Sequence, residues 1–184
     1  MHVYCHDEKI TYTGDQLSSL WAYKNFGLQG DSIVCFRGPC SISFSSMVDL
    51  EDVLACSPIY GPDMLHFVVE HFERGLEKAV LRQRLLIAII KDAIGRPDLE
   101  RRGDDLYMGS KKLSISIATS TPVSVMIHAA LNVITEGTPV ETAGLMEMGY
   151  AEEDIMPLGM KICRLYDLEM SSVRMARCKV RGVG

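Results

Sequence analysis

Lys111 and Lys112 follow the turn-forming pair Gly109-Ser110 and lead straight into Leu113-Ser114-Ile115-Ser116-Ile117. A lysine at a strand start has a fixed Cα and a long reach, so its ammonium can stabilise a phosphate or a developing oxyanion. Asp104 and Asp105 stand on the opposite arm of the same hairpin, within range of one cleft. Ser114 and Ser116 recur with period two and therefore share a strand face. His128 sits in the next apolar run, and Arg37 lies beside Gly38-Pro39. We expect Lys112 to be the catalytic group, acting on a carboxylate or phosphate. Arg37, Asp104, Asp105, Ser114, Ser116 and His128 are the expected substrate-binding residues, and no metal site is expected. Each feature also has a plain structural reading: a solvated lysine pair, a turn-forming aspartate pair, and a hydrogen-bonded core histidine.

These residues need elements to hold them. Residues 2–12 alternate weakly and read as a short strand. Asp15 can cap a helix through about Asn25, stopped by Gly27. Ser32-Ile33-Val34-Cys35-Phe36, bounded by Gly30 and Gly38-Pro39, is a buried strand. Residues 48–55 form a short helix or turn, and Gly61-Pro62-Asp63 is a turn signal. Leu65, Phe67 and Val69 then alternate with their neighbours as a strand does. Leu76, Val80, Ile90 and Ile94 recur at near-helical spacing over 76–94, with Gly95 and Pro97 ending the helix. Residues 101–112 read as strand–turn–strand and 123–134 as a further strand. Segments 140–149 and 152–177 read as helices. The order predicts an α+β fold with a mostly antiparallel sheet packed against helices.

Composition bounds the function. The 184 residues carry 19 Lys and Arg against 24 Asp and Glu, a net charge of −5. That balance argues against general phosphate-backbone binding, although Arg82, Arg84, Arg101 and Arg102 could form a local patch. Nucleic acid is therefore not an expected partner. The longest apolar run, Leu85–Ile90, is far short of the roughly 20 residues a membrane span needs. The N-terminus has no basic region followed by an apolar one, so no secretory signal and no membrane association are expected. Six cysteines (Cys5, Cys35, Cys40, Cys56, Cys163, Cys178) form no C-x-x-C pair. They read as reduced, mostly buried small hydrophobes of a cytoplasmic protein. One domain spans 1–184, with its core at about 30–135 and a helical extension at about 140–184. A short strand such as 2–7 at a sheet edge could pair with a second copy to give a homodimer.

Taken together and in order, Arg102-Gly103-Asp104-Asp105-Leu106, Gly109-Ser110-Lys111-Lys112-Leu113-Ser114 and Ile127-His128-Ala129-Ala130-Leu131-Asn132-Val133 resemble the catalytic half of the biotin and lipoate protein ligases and octanoyltransferases. The resemblance covers roughly residues 58–135 and is most specific at the lysine hairpin. It implies a ligase-like core of the class II synthetase superfamily, Lys112 as the matching lysine, ATP as cofactor, and a small carboxylate or adenylate as ligand. The whole chain is still more similar to an uncharacterised, mostly archaeal domain-of-unknown-function family assigned to that superfamily. Phe36-Arg37-Gly38-Pro39, Met64-Leu65-His66-Phe67 and Lys112-Leu113-Ser114-Ile115 carry that likeness.

The chain also departs from the ligase pattern. It has no glycine-rich, arginine-bearing loop, and the glycine expected three residues after the lysine is Ile115. The loop where octanoyltransferases carry a cysteine nucleophile, Glu136–Gly144, contains none. A non-catalytic module that binds a small ligand but has lost the nucleotide loop is therefore the alternative to an acyl- or nucleotide-handling enzyme.

Overall fold

The apolar, β-branched runs of the sequence form the centre of one five-stranded sheet. A computed structural model describes every residue except Ser57, Pro139 and Gly184, and only the backbone of Asp52. The strands are β1 (His2–Cys5), β2 (Ser32–Ile42), β3 (Ile59–His71), β7 (Ser114–Ser120) and β8 (Val125–Ile134), in the order β1-β2-β3-β8-β7. β1 pairs with β2 in parallel, and the other neighbours are antiparallel. A smaller sheet holds β4 (Leu99–Arg102), β5 (Asp105–Met108) and β6 (Lys111–Lys112). The mostly antiparallel α+β architecture is as expected.

Alternation along β2, β3 and β8 divides the core. Ile33, Cys35, Leu65, Phe67, Ile127 and Leu131 face the helices α3 (Leu76–Ile94) and α4 (Ile155–Ala176), meeting Leu86, Ile87, Ile90, Ile162 and Tyr166. The residues between them, Val34, Phe36, Met64, Val68, Met126 and Ala130, form the opposite face with Tyr12 and Ala22. Helix α3 has the predicted bounds, ending at Gly95 in a left-handed conformation (φ 70°) that glycine adopts without strain.

Three local expectations are corrected. Gly61-Pro62-Asp63 is not a turn but lies inside β3. The β2–β3 register slips between Gly38 and Cys40, so Pro39 and Pro62 both fall at an irregularity where the ladder needs no amide donor from them. Residues 140–149 form turns rather than a helix. Their amides are used elsewhere: Ala143 N donates to Lys112 O (3.0 Å) and Leu145 N to Asn132 O (2.9 Å). The first helix is shorter than expected, α1 (Trp21–Phe26), because Leu20 before it is left-handed (φ 65°). Its amide donates to buried Glu70 at 2.9 Å. Residues 48–55 contain the short helix α2 (Leu50–Leu54). Among the described residues no helix is long and apolar enough to cross a membrane.

Candidate functional site

A cleft of about 430 Å³ opens on the sheet face away from α3 and α4. Leu17, Ile42, Met64, Ile115 and Ile117 give it apolar walls; Lys112, Asp105, Asn132, Thr142 and His128 add polar groups. Asp104, Asp105, Lys112, Ser114, Ser116 and His128, all singled out from the sequence, line this one cavity. Arg37 does not. It belongs to the same alternating set as Ile33 and Cys35, on the helix side of β2. There its guanidinium grips Asp63 with two bonds (3.0 and 2.8 Å) and also bonds Glu152 (2.9 Å). Lys9 joins the same Asp63 at 2.9 Å. Arg37 is buried within this network, where its hydrogen-bonding capacity is spent on structure.

Lys112 is fixed by its backbone. Its amide donates to Glu141 O (3.1 Å), and its carbonyl accepts from Ala143 N (3.0 Å) and Asn132 Nδ2 (3.1 Å). Asn132 Nδ2 also donates to Ala143 O (3.2 Å). The side chain of Asn132 thus ties the lysine hairpin to the segment after β8. The Lys112 ammonium lies 2.7 Å from the Asp105 carboxylate, and both groups are partly open to solvent. An ion pair of this kind positions a cation without burying it.

Ser114 and Ser116 line the cleft with hydroxyls that are engaged in hydrogen bonds. Ser114 Oγ accepts from Leu106 N (2.8 Å). Ser116 Oγ donates to Asp104 O (2.8 Å) and accepts from Gln83 Nε2 of α3 (2.8 Å). Both reach the cleft wall with hydroxyls already engaged. Asp104 is held similarly, accepting from Gln83 Nε2 at 2.9 Å. Period two separates Ser114 and Ser116 from Ile115 and Ile117, and Ile115 packs against the core of the cleft face. Ile115 pairs with Ala130 and Ile117 with His128.

His128 is fully buried beneath the cavity, stacked on Tyr12 with centroids 3.6 Å apart and planes 7° from parallel. Its Nε2 lies 3.1 Å from His66 Nδ1, and His66 Nε2 lies 3.1 Å from Gly38 O. A carbonyl only accepts, so His66 donates to it through Nε2–H and accepts through Nδ1 from His128. Burial lowers the His66 pKa to about 4, even though the Gly38 carbonyl and Asp63 favour its charged form. Burial, with His66 beside it, also holds His128 well below the usual imidazole range. The pair is neutral at neutral pH. Burial raises the Tyr12 phenol, with the Cys40 thiol acting the same way. Tyr12 and His66 carried no distinguishing mark in the sequence. Only the pairing of distant strands shows them to be part of the floor.

None of the six cysteines lines the cleft among the described residues, and all six are unpaired thiols. Burial pushes Cys40 up to about 12, so it is not a ready nucleophile. Cys35 lies on the helix side of the sheet.

The sheet, its helices and the lysine hairpin define a ligase-like fold. Biotin protein ligase from Aquifex aeolicus in complex with biotin and ATP superposes with a TM-score of 0.53 at 12% identity, over 89% of this chain and 69% of the other. LipL1 of P. falciparum in complex with lipoate superposes at 0.54 and 11% identity, over 91% of this chain and 62% of the other. At such identities the likeness shows the fold alone. The chain belongs to the family described as Domain of unknown function (DUF366), which it matches over residues 1–181. A protein of unknown function from Pyrococcus horikoshi shares the structure with a TM-score of 0.90 and 39% identity, over 99% of this chain and 100% of that one. Uncharacterized protein MJ0805 of Methanocaldococcus jannaschii is 41% identical over 155 residues, which are 80% of this chain and 70% of that protein.

Proposed function

We propose that the cleft binds a small carboxylic acid of acyl type, or its adenylate, with the acid group at Lys112, and that the protein handles that acyl ligand chemically. The observation that carries this reading is one backbone-pinned lysine in the wall of a cavity of about 430 Å³ whose lining mixes apolar side chains with polar and acidic ones. That volume suits a small ligand. Apolar walls beside placed polar groups suit an amphiphile, and the acidic residues Asp49, Glu51, Asp104 and Asp105 disfavour a polyanion. Asp105 holds the ammonium in place until an anionic ligand competes for it. The neutral His128–His66 pair keeps the floor uncharged, so an apolar ligand body meets no fixed ion there.

ATP is the cofactor that the fold brings to mind, and the residues present fit it poorly. The chain has no glycine-rich run to present amides to a phosphate, and Ile115 lines the cleft three residues beyond the lysine. That observation favours a second reading, a binding module that retains the acid pocket without turnover. The six unpaired thiols support a reducing, cytoplasmic setting for either.

Both readings are tested together by ATP–pyrophosphate exchange with lipoate, octanoate, biotin and amino acids, alongside ligand-induced thermal shifts and a Lys112→Ala control. Exchange that disappears in Lys112→Ala supports acyl activation. Thermal shifts without exchange support the binding module. Neither exchange nor shift with any of these ligands rejects both.

A further inference from the structure

A second cluster of reactive side chains lies on the opposite side of the sheet from the cleft. Cys5 ends β1 and stands in register with Cys35 of β2, its parallel neighbour. Both thiols meet Cys163 of α4, and the three sulfurs all lie within 4.8 Å of one another. Cys35 and Cys163 are fully buried, while Cys5 is half-buried at the strand end and leaves a way in. Met160, three residues before Cys163 and so on the same side of α4, brings a fourth sulfur, its Sδ 4.0 Å from Cys5 Sγ. The helix backbone is shaped to this cluster. A Cβ at Gly159, one turn before Cys163, would lie 2.5 Å from Cys35 Sγ, so only glycine leaves room for the sulfur there.

We propose that Cys5, Cys35 and Cys163 form a three-thiolate site for a soft d¹⁰ cation, Zn²⁺ or Cu⁺, with the Met160 thioether as the adjoining fourth donor. Thiolate and thioether sulfur select such ions over hard cations. Tetrahedral coordination at a Zn–S distance of about 2.3 Å places sulfurs about 3.8 Å apart. The observed cluster needs to contract by no more than about an ångström to meet that distance. On binding, each thiol that coordinates as thiolate releases its proton to solvent, and no electron transfer is involved. Three thiolates leave a net charge of −1 with Zn²⁺ and −2 with Cu⁺; burial therefore favours zinc. Such an ion would clamp the edge strand β1 and helix α4 to β2, independently of any ligand at Lys112.

The test uses the full chain, reduced and handled without oxygen. It is equilibrated separately with Zn²⁺ and with Cu⁺, desalted, and assayed for bound metal and Tm. The expected result is one ion per chain with a raised Tm, zinc retained more tightly than copper. Cys5→Ser and Cys163→Ser lose the ion, whereas Cys40→Ser and Cys178→Ser keep it. Co²⁺ added to the unmodified chain gives intense thiolate-to-metal charge-transfer absorption, a readout that needs no variant to fold. Substoichiometric metal with no charge-transfer band overturns the proposal. So does metal that survives Cys5→Ser, or a Cys5–Cys35 disulfide that forms in preference to metal binding under reducing conditions.

Discussion

The buried imidazole pair makes acid stability a quantitative test of the cleft floor. In the unfolded chain His66 and His128 take up protons near pH 6.5. In the folded chain burial delays this to about pH 4 for His66 and to well below the usual imidazole range for His128. Between these limits the unfolded state binds more protons, so stability rises with pH and falls as the solution is acidified. Each histidine contributes about 1.4 kcal/mol per pH unit once the pH is well below 6.5. From pH 7 to pH 5 that amounts to about 2 kcal/mol per residue and about 4 kcal/mol for the pair. The assay is urea unfolding at pH 7, 6 and 5, comparing the natural chain with His128→Phe, which keeps a ring against Tyr12. The variant starts less stable, because His66 Nδ1 loses its donor, but its loss of stability from pH 7 to 5 should be smaller by about 2 kcal/mol, the share of one histidine. Burial also lowers the pKa of His71, against its bond to Asp31, and that contribution is the same in both proteins. A flat stability profile from pH 7 to 5, or equal slopes in the two proteins, would refute the neutral-pair description.

Asp63→Ala removes the buried carboxylate that grips Arg37. Leaving that buried guanidinium to Glu152 alone should cost about 3 kcal/mol in chemical denaturation. Gly38→Ala would place a Cβ 2.2 Å from the Ile10 carbonyl oxygen and should lower stability by about 2–3 kcal/mol, read as a fall in the denaturation midpoint. Ile115→Gly opens the cleft wall where the ligases carry glycine. Any ATP-induced thermal shift should be larger in this variant than in the natural chain.

The parts of this architecture that are local were legible in the sequence. Helix α3 was readable to the residue because its apolar spacing, its Gly95 stop and its charged face all agree. The lysine hairpin was readable because Gly109 marks the turn. Expectations failed where tertiary contacts override a local signal. Gly61-Pro62 looks like a turn, but a register slip opposite Pro39 accommodates both prolines inside long strands. Period two correctly separated Ser114 and Ser116 from Ile115 and Ile117. It cannot say which side meets a helix, and Gln83 of α3 decides that. The same limit misplaced Arg37, which shares its strand face with Ile33 and Cys35. The floor of the cleft and the thiol cluster depend on residues more than 50 positions apart, such as His66 with His128 and Cys5 with Cys163. No spacing rule reaches across that distance.

The proposed role of Lys112 is to hold the acid group of a small apolar-bodied ligand. Calorimetric titration of octanoate and lipoate into the natural chain and into Lys112→Ala tests it most directly. A charge-assisted hydrogen bond lost from the complex should weaken binding by roughly 10- to 100-fold, with the fold of the variant intact by circular dichroism. Equal affinity in the two proteins would contradict the account.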